Sequence, residues 1–347
     1  MENTRDPVED LKRIAFLLEA AMEPGYRVRA FRRAADTVAA IPRDELRRRA
    51  QQGTLRELAG IGEVLERTVA ESVRGEEPVY LRRLEATGGR PVAEGAAKLL
   101  TALRGDCHVH SDWSDGGSPI GEMALTARNL GHAWIVLTDH SPRLTVANGL
   151  SPERLRQQLD AVAALNVELA PFRILTGIEV DILPDGSLDQ EAELLDQLDL
   201  VVGSVHSELR MERRLMTRRL VTALADPRLD LLGHVTGRMT TGKRRRPPSE
   251  FDAEIVFAAA ERFDKAVEVN SRPERLDPPK RLLRLAVEAG CRFAIDSDAH
   301  APGQLAWLPN GCERAFLCGV AVESVINTWD VDEVLRWTHS HAPASRA

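Results

Sequence analysis

Apolar residues recur every three or four positions near the start of the chain. Val8, Leu11, Ile14, Ala15, Leu18 and Ala21 or Met22 form one series, and Val28, Phe31, Ala34, Ala35 and Val38 a second. This spacing lines one face of an α-helix. It predicts two helices separated by Pro24-Gly25, the second ending near Ile41-Pro42. Residues 54–65 read as helix, tight turn and helix, with Gly60-Ile61-Gly62 as the turn. From Gly105 onward the period changes. Short apolar runs at 133–137, 173–175 (leading to Gly177), 198–202, 229–232, 266–269 and 292–295 alternate with helical stretches such as 152–165 and 279–289. Strand and helix in alternation at this spacing predict parallel βα units, hence an α/β body behind a small all-α domain.

The apolar runs end on polar residues suited to metal binding. The run at 135–138 leads into Asp139-His140, Gly177-Ile178 into Glu179, residues 201–205 into His206, residues 231–233 into His234, and residues 293–295 into Asp296-Ser297-Asp298-Ala299-His300. Ahead of them, Asp106-Cys107-His108-Val109-His110 is followed by Ser114-Asp115-Gly116. If 106–110 is a strand, His108 and His110 project from one face. Six of the nine histidines thus fall at strand ends or in the first motif. In barrel-like α/β folds those ends form the functional rim. Together with Asp115, Glu179 and Asp298 they make nine imidazole and carboxylate ligands, too many for one ion and suited to two or three divalent metals, with zinc, manganese or iron fitting the donors. Two metals a few ångströms apart clamp a phosphoryl group and generate a hydroxide nucleophile. No GxSxG or Cys-His nucleophile pattern competes with this reading. His132, His339 and His341 match no motif and are expected to be surface or structural residues.

Composition narrows the picture modestly. The 347 residues are 43% hydrophobic and 29% charged, an ordinary globular balance. No apolar run reaches the roughly 20 residues that span a bilayer, and the N-terminus has no signal-peptide pattern, so a cytoplasmic protein without membrane contact is expected. The four cysteines lack CxxC spacing and are expected to be reduced and buried. Residues 1–104 hold 19 Lys+Arg against 17 Asp+Glu, whereas the rest holds 27 against 36. Nucleic-acid contact by the N-terminal part would therefore be local. The Arg27, Arg29, Arg32, Arg33 cluster reads as a solvated face. Lys243-Arg244-Arg245-Arg246 could equally be a solvated loop or a backbone contact. Backbone N–H groups of Gly60, Ile61 and Gly62 at a helix N-terminus could approach a DNA phosphate. Arg143, Arg238 and Arg272 lie beside the metal-type motifs and could clamp a substrate phosphate.

Two resemblances follow from these residues. The helix order, the segment 26–35 and Leu58-x-Gly60-Ile61-Gly62 resemble the N-terminal domain of family X DNA polymerases. Lyase-active members carry a lysine on the second hairpin helix, and the stretch 63–71 has none, so Schiff-base chemistry is not expected. The HxH motif, Ser114-Asp115-Gly116, Thr138-Asp139-His140-Ser141, Gly177-Ile178-Glu179-Val180-Asp181, Ser204-Val205-His206-Ser207, Gly233-His234 and Ser297-Asp298-Ala299-His300 resemble the PHP (polymerase and histidinol phosphatase) family. That resemblance extends over roughly 105–307, and the segments 233–238 and 268–277 look most like the C-terminal PHP domain of bacterial family X polymerases. The polymerase core is not matched, so nucleotidyl transfer is not expected.

The resemblance implies a distorted (β/α)7 barrel with a trinuclear site. Residues 1–88 would form the helix-hairpin-helix domain, 89–104 a linker helix and 105–347 the PHP domain. By the same resemblance His108, His110, Glu179 and Asp298 would hold one metal. Glu179 would bridge to a second, completed by His206 and His234, and Asp115, His140 and His300 would hold a third. Glu179, Asp298 and His206 would then serve catalysis through the metals. The expected function is a metal-dependent phosphoesterase acting on DNA, a 3′–5′ exonuclease or 3′-end-processing enzyme in DNA repair. A small-molecule phosphatase of the histidinol-phosphatase or nucleotide type, or a non-enzymatic DNA-binding protein, remain the alternatives. DNA and a phosphoester are the expected partners, and no protein partner is indicated.

Overall fold

The computed structural model describes residues 5–87, 93–241 and 245–341 and divides into two compact units, Met1–Pro91 and Val92–Ala347. The first unit is helical, with α1 (Pro7–Ala20), α2 (Gly25–Ala39), α3 (Arg43–Gln52), α4 (Glu63–Val73) and α5 (Val79–Thr87). Asp6 caps α1 by accepting from Val8 N at 3.0 Å, and Pro7 occupies the first turn, where its missing N–H costs nothing. Leu11, Ile14, Ala15 and Leu18 from α1 meet Val28, Phe31, Ala34 and Val38 from α2 in one core, as the 3.6-residue period requires. One expectation is corrected here. The helix before the Gly60 turn is a single 3₁₀ turn, Leu55–Glu57. Left-handed Gly53 ends α3, and Leu58 is already extended, which leaves too few residues to propagate an α-helix.

The second unit opens with α6 (Glu94–Ala102), the helix read as a linker. Its Ala96 and Leu99 are buried in the core of this unit. There follow β1 (Gly105–Val109), α7 (Ile120–Asn129), β2 (Trp134–Leu137), α8 (Pro152–Leu169), β3 (Arg173–Asp181), α9 (Ala192–Leu195), β4 (Leu200–Ser204), α10 (Arg213–Leu224), β5 (Leu231–Leu232), α11 (Ala253–Arg262), β6 (Ala266–Asn270), α12 (Lys280–Glu288), β7 (Arg292–Asp296), α13 (Leu308–Cys318) and α14 (Val331–His341). The seven strands are parallel in the order β1 to β7 and form a nearly closed (β/α)7 barrel. A parallel bridge between Val109 and Ala299, and a 2.8 Å bond from Cys107 N to Asp296 Oδ1, join β1 to the end of β7. Strands covered on both faces need continuous apolar sequence, and β1, β2, β4, β5 and β6 are buried at every position. Among the described residues no helix is long and apolar enough to cross a membrane.

Candidate metal centre

The C-terminal ends of the strands converge on one cluster of imidazoles and carboxylates. His108 lies in β1 and His110 just beyond it, two residues apart on one face, and both are fully buried. Their loop is tied down by Asp139, which accepts from Ser111 N at 2.9 Å, Ser111 Oγ at 2.6 Å, Gln158 Nε2 at 2.7 Å and also Ser114 Oγ. Gly116 closes that loop against the Ser111 carbonyl. A Cβ there would stand 2.5 Å from that oxygen, so a larger residue would displace neighbouring Asp115. His206 follows β4 and is held by its own N–H, 3.1 Å from Asp181 Oδ1.

Glu179, on β3, stands at the centre. Its Oε2 is 3.4 Å from His108 Nε2, 3.6 Å from His110 Nε2 and 2.9 Å from His140 Nδ1. Its Oε1 is 3.3 Å from His206 Nε2 and 2.8 Å from His234 Nε2. Asp298 Oδ1 is 3.6 Å from His110 Nε2 and 3.5 Å from His300 Nδ1. Asp115 Oδ1 faces His140 Nε2 at 3.5 Å and His300 Nε2 at 3.4 Å. Two donors about 2.1 Å from a shared ion at a tetrahedral angle lie about 3.4 Å apart. Most of these separations match that spacing and exceed ordinary hydrogen bonds.

The buried atoms make the same point. Both Glu179 oxygens, both nitrogens of His110 and His206, His108 Nε2 and His140 Nδ1 have no hydrogen-bond partner. Leaving that many polar atoms unsatisfied in an interior costs about 1–3 kcal/mol each. A bound cation satisfies them together, so the residues present fit a metal centre.

Three groups of ligand atoms are each compact enough for one ion: His110, Asp115, His140 and His300; His108, His110 and Glu179; and His140, Glu179 and His206. All nine residues singled out in the sequence converge here, but the sharing differs from the expected partition. His110 belongs to the first and second groups, His140 to the first and third and Glu179 to the second and third, while His234 and Asp298 fall in none of the three. The His110 and His140 rings lie tilted with centroids 4.5 Å apart.

Charge separates the nine in a useful way. Burial pushes Glu179 up, yet His108, His206 and His140 outweigh it and hold the carboxyl well below its usual range. Burial, then the neighbouring His300, His140 and His108, hold His110 well below an ordinary histidine. Burial also lowers His206, and pushes His300 down to about 4 against the pull of Asp298. Burial pulls His108 and His140 down, yet Glu179 outweighs it and raises both, so metal binding at these two imidazoles would release protons.

Several residues that order the site were not assigned a role from the sequence. Glu268 Oε1 lies 2.7 Å from His108 Nδ1, and its other oxygen accepts from the backbone N–H of His234. Asn270 Nδ2 lies 3.2 Å from both Glu268 Oε2 and Asp298 Oδ2. Arg275 Nε is 3.1 Å from Asp298 Oδ2. The available signal was a glutamate inside the otherwise apolar run Ala266-Val267-Glu268-Val269, facing the same side of β6 as Asn270.

The candidate phosphate arginines separate. Arg272 lies at the site, with Nη1 3.3 Å from His300 Nδ1 and its guanidinium over Trp307. Arg238 instead turns to the carbonyls of Arg275 (2.9 Å) and Leu276, a use within the fold. Arg143 is exposed and is anchored through its backbone N–H to Asp189 at 2.7 Å. Arg246 donates to the Gly237 carbonyl at 2.6 Å and Arg245 is exposed, while Lys243 and Arg244 lie outside the described residues.

In the first unit Gly60 has φ +79° and Gly62 is the residue just before α4, both with open space around them, whereas Ile61 is buried in the helical core. The first turn of α4 carries Glu63 and Glu66, paired with Arg56 at 3.4 and 3.0 Å. Of the remaining histidines, His339 is exposed, His132 is half-buried, and His341 bonds Asp230 Oδ1 at 2.8 Å.

Comparison with known proteins agrees with this architecture. Residues 106–272 match the PHP domain and residues 2–77 a helix-hairpin-helix domain. The chain is 38% identical over 235 residues to the DNA polymerase/3′-5′ exonuclease PolX of Bacillus subtilis, an alignment covering 68% of this chain and 41% of that protein. It is 27% identical over 240 residues to a probable phosphatase of Thermoanaerobacter, covering 66% of this chain and 91% of that one. A solved histidinol phosphate phosphatase from Lactococcus lactis superposes with a TM-score of 0.44 at 18% identity, over 63% of this chain and 94% of that one. The chain thus carries a PHP domain preceded by a helix-hairpin-helix domain.

Proposed function

We infer that the barrel is a metal-dependent phosphoesterase and that its substrate is DNA, cleaved at or near a 3′ end. The observation that carries the reading is Glu179, a fully buried carboxylate with neither oxygen hydrogen-bonded and a different set of histidines facing each. His108, His110, Asp115, His140, Glu179, His206, His234, Asp298 and His300 would hold two or three divalent ions, with zinc, manganese and iron all compatible. Bound metals of this kind polarise a phosphoryl oxygen and lower the pKa of water into the neutral range. The chain's own contribution is to hold these donors, most of them buried, in one cluster and to place Arg272 beside them, where a guanidinium can orient an anionic group. The N-terminal hairpin supports DNA as the substrate, with the backbone of Gly60, Ile61 and Gly62 approaching a phosphate. The similarity to PolX supports the same substrate.

A second reading rests on the acidic first turn of α4: Glu63 and Glu66 stand where a phosphate would dock. It makes the barrel a small-molecule phosphatase, in line with the Thermoanaerobacter relative, and leaves the hairpin a structural element. Manganese-loaded protein is expected to shorten 3′-labelled oligonucleotides. Intact oligonucleotides alongside rapid hydrolysis of histidinol phosphate or mononucleotides would replace the first reading with the second.

A further inference from the structure

We propose that Glu268 is a positioning residue that sets the two halves of the metal centre relative to each other, an inference that rests on the metal-centre reading above. Glu268 is completely buried on β6, and among the described contacts it reaches elements on both sides of the site. One oxygen lies 2.7 Å from Nδ1 of His108, on β1. The other takes the backbone N–H of His234, just past β5, and the Asn270 amide at 3.2 Å. Through Asn270 the same chain of bonds continues to Asp298 Oδ2 at 3.2 Å, while Asn270 Oδ1 accepts from Arg272 N at 3.0 Å.

The consequence is chemical as well as geometric. A carboxylate at Nδ1 keeps the proton on that nitrogen, so the Nε2 lone pair of His108 is turned toward Glu179, 3.4 Å away. Securing the His234 backbone fixes the ring that stands 2.8 Å from the other oxygen of Glu179. Asn270, with Arg275 at 3.1 Å, occupies Asp298 Oδ2 and leaves Oδ1 facing His110. One buried glutamate therefore orients donors for two of the expected metals, and its removal loosens both.

Glu268→Gln tests this, because glutamine preserves volume but has one acceptor oxygen. It cannot accept from both His108 Nδ1–H and His234 N–H, and its amide meets one of those donors head-on. Zinc is the probe, titrated against a competing chelator, with thermal melting followed on the metal-free proteins. The expected result is zinc affinity weakened by about 10- to 100-fold in Glu268→Gln while the metal-free variant still melts cooperatively. In zinc-loaded wild-type protein with ¹⁵N-labelled histidine, His108 is expected to show a slowly exchanging Nδ1–H. Equal zinc affinity in the two proteins, or zinc bound through His108 Nδ1, would overturn the proposal. If Glu268→Gln fails to fold, the histidine spectrum of the wild type decides alone. Wild-type protein that takes up no zinc, manganese or iron would overturn the metal-centre reading itself.

Discussion

The two ends of the barrel use the same residue types for opposite purposes. At the C-terminal rim, histidines and carboxylates stand mostly 3.3–3.6 Å apart with their buried atoms unbonded. At the N-terminal end, Asp230 precedes β5 and is also buried, yet one oxygen bonds His341 Nδ1 at 2.8 Å and the other Val201 N at 2.9 Å. Asp264 nearby accepts from Trp337 Nε1 at 3.1 Å and from Arg292 at 2.7 Å. At the lower end the carboxylates are bonded by their own chain and fasten α14, and a single His341 nitrogen, Nε2, stands 3.9 Å from Asp264 without a hydrogen bond. The upper end leaves its donors to groups that could each hold a cation. The difference shows that burial of a histidine or an aspartate says little about function by itself. What matters is whether the protein provides the partner.

Glu179→Ala should sharpen the contrast most. Removing the central carboxylate is expected to lower phosphoester turnover by about three orders of magnitude or more, on the scale of losing roughly 4 kcal/mol of transition-state stabilisation. Bound metal measured by elemental analysis should fall with it, and exhaustive chelation of the wild type should reproduce the loss, reversed on adding manganese. Retained metal and turnover would remove the rim's claim to be the site. His341→Ala should do the reverse. The lost charge-assisted bond is expected to cost about 1.5–3 kcal/mol in the urea midpoint, with turnover per folded molecule unchanged. A large loss of turnover without destabilisation would break the division between the two ends.

A further test concerns His132, which belongs to neither end. Burial pushes it down to about 4, and its Nδ1 has no partner. In the unfolded chain it takes up a proton near 6.5, so between about 6.5 and 4 the unfolded state binds more protons. Stability from this residue is therefore complete above 6.5 and declines as pH falls toward 4, by on the order of 3 kcal/mol. Chelated His132→Gln should show a shallower loss of stability across that window than chelated wild type. Parallel curves would locate the acid sensitivity elsewhere.

Much of the molecule was legible without coordinates. The change of period at Gly105, the βα alternation and the placement of six histidines at strand ends are local properties, because a strand's two-residue repeat decides which side chains share a face. Helix α1 was readable for the same reason, through its Asp6-Pro7 start and its apolar series. The short turn at Leu55–Glu57 was misread as a helix because its few residues carry no period to measure.

What the sequence by itself determined is the set of donors and the strand ends that carry them, since pattern and residue type act along the chain. The tertiary structure alone decided which donors meet. Closing β1 against β7 places His110 between Glu179 and Asp298 and lets it be shared between two groups. The packing of β6 beside β5 and β7 turns Glu268 from one more acidic residue into the link from His108 to His234. The turn at 272–277 sends Arg272 to the site and engages Arg238 with its own carbonyls. These distances depend on neighbouring strands far apart in sequence. No local period encodes them, because a side chain's partner is fixed by the barrel that brings the strands together.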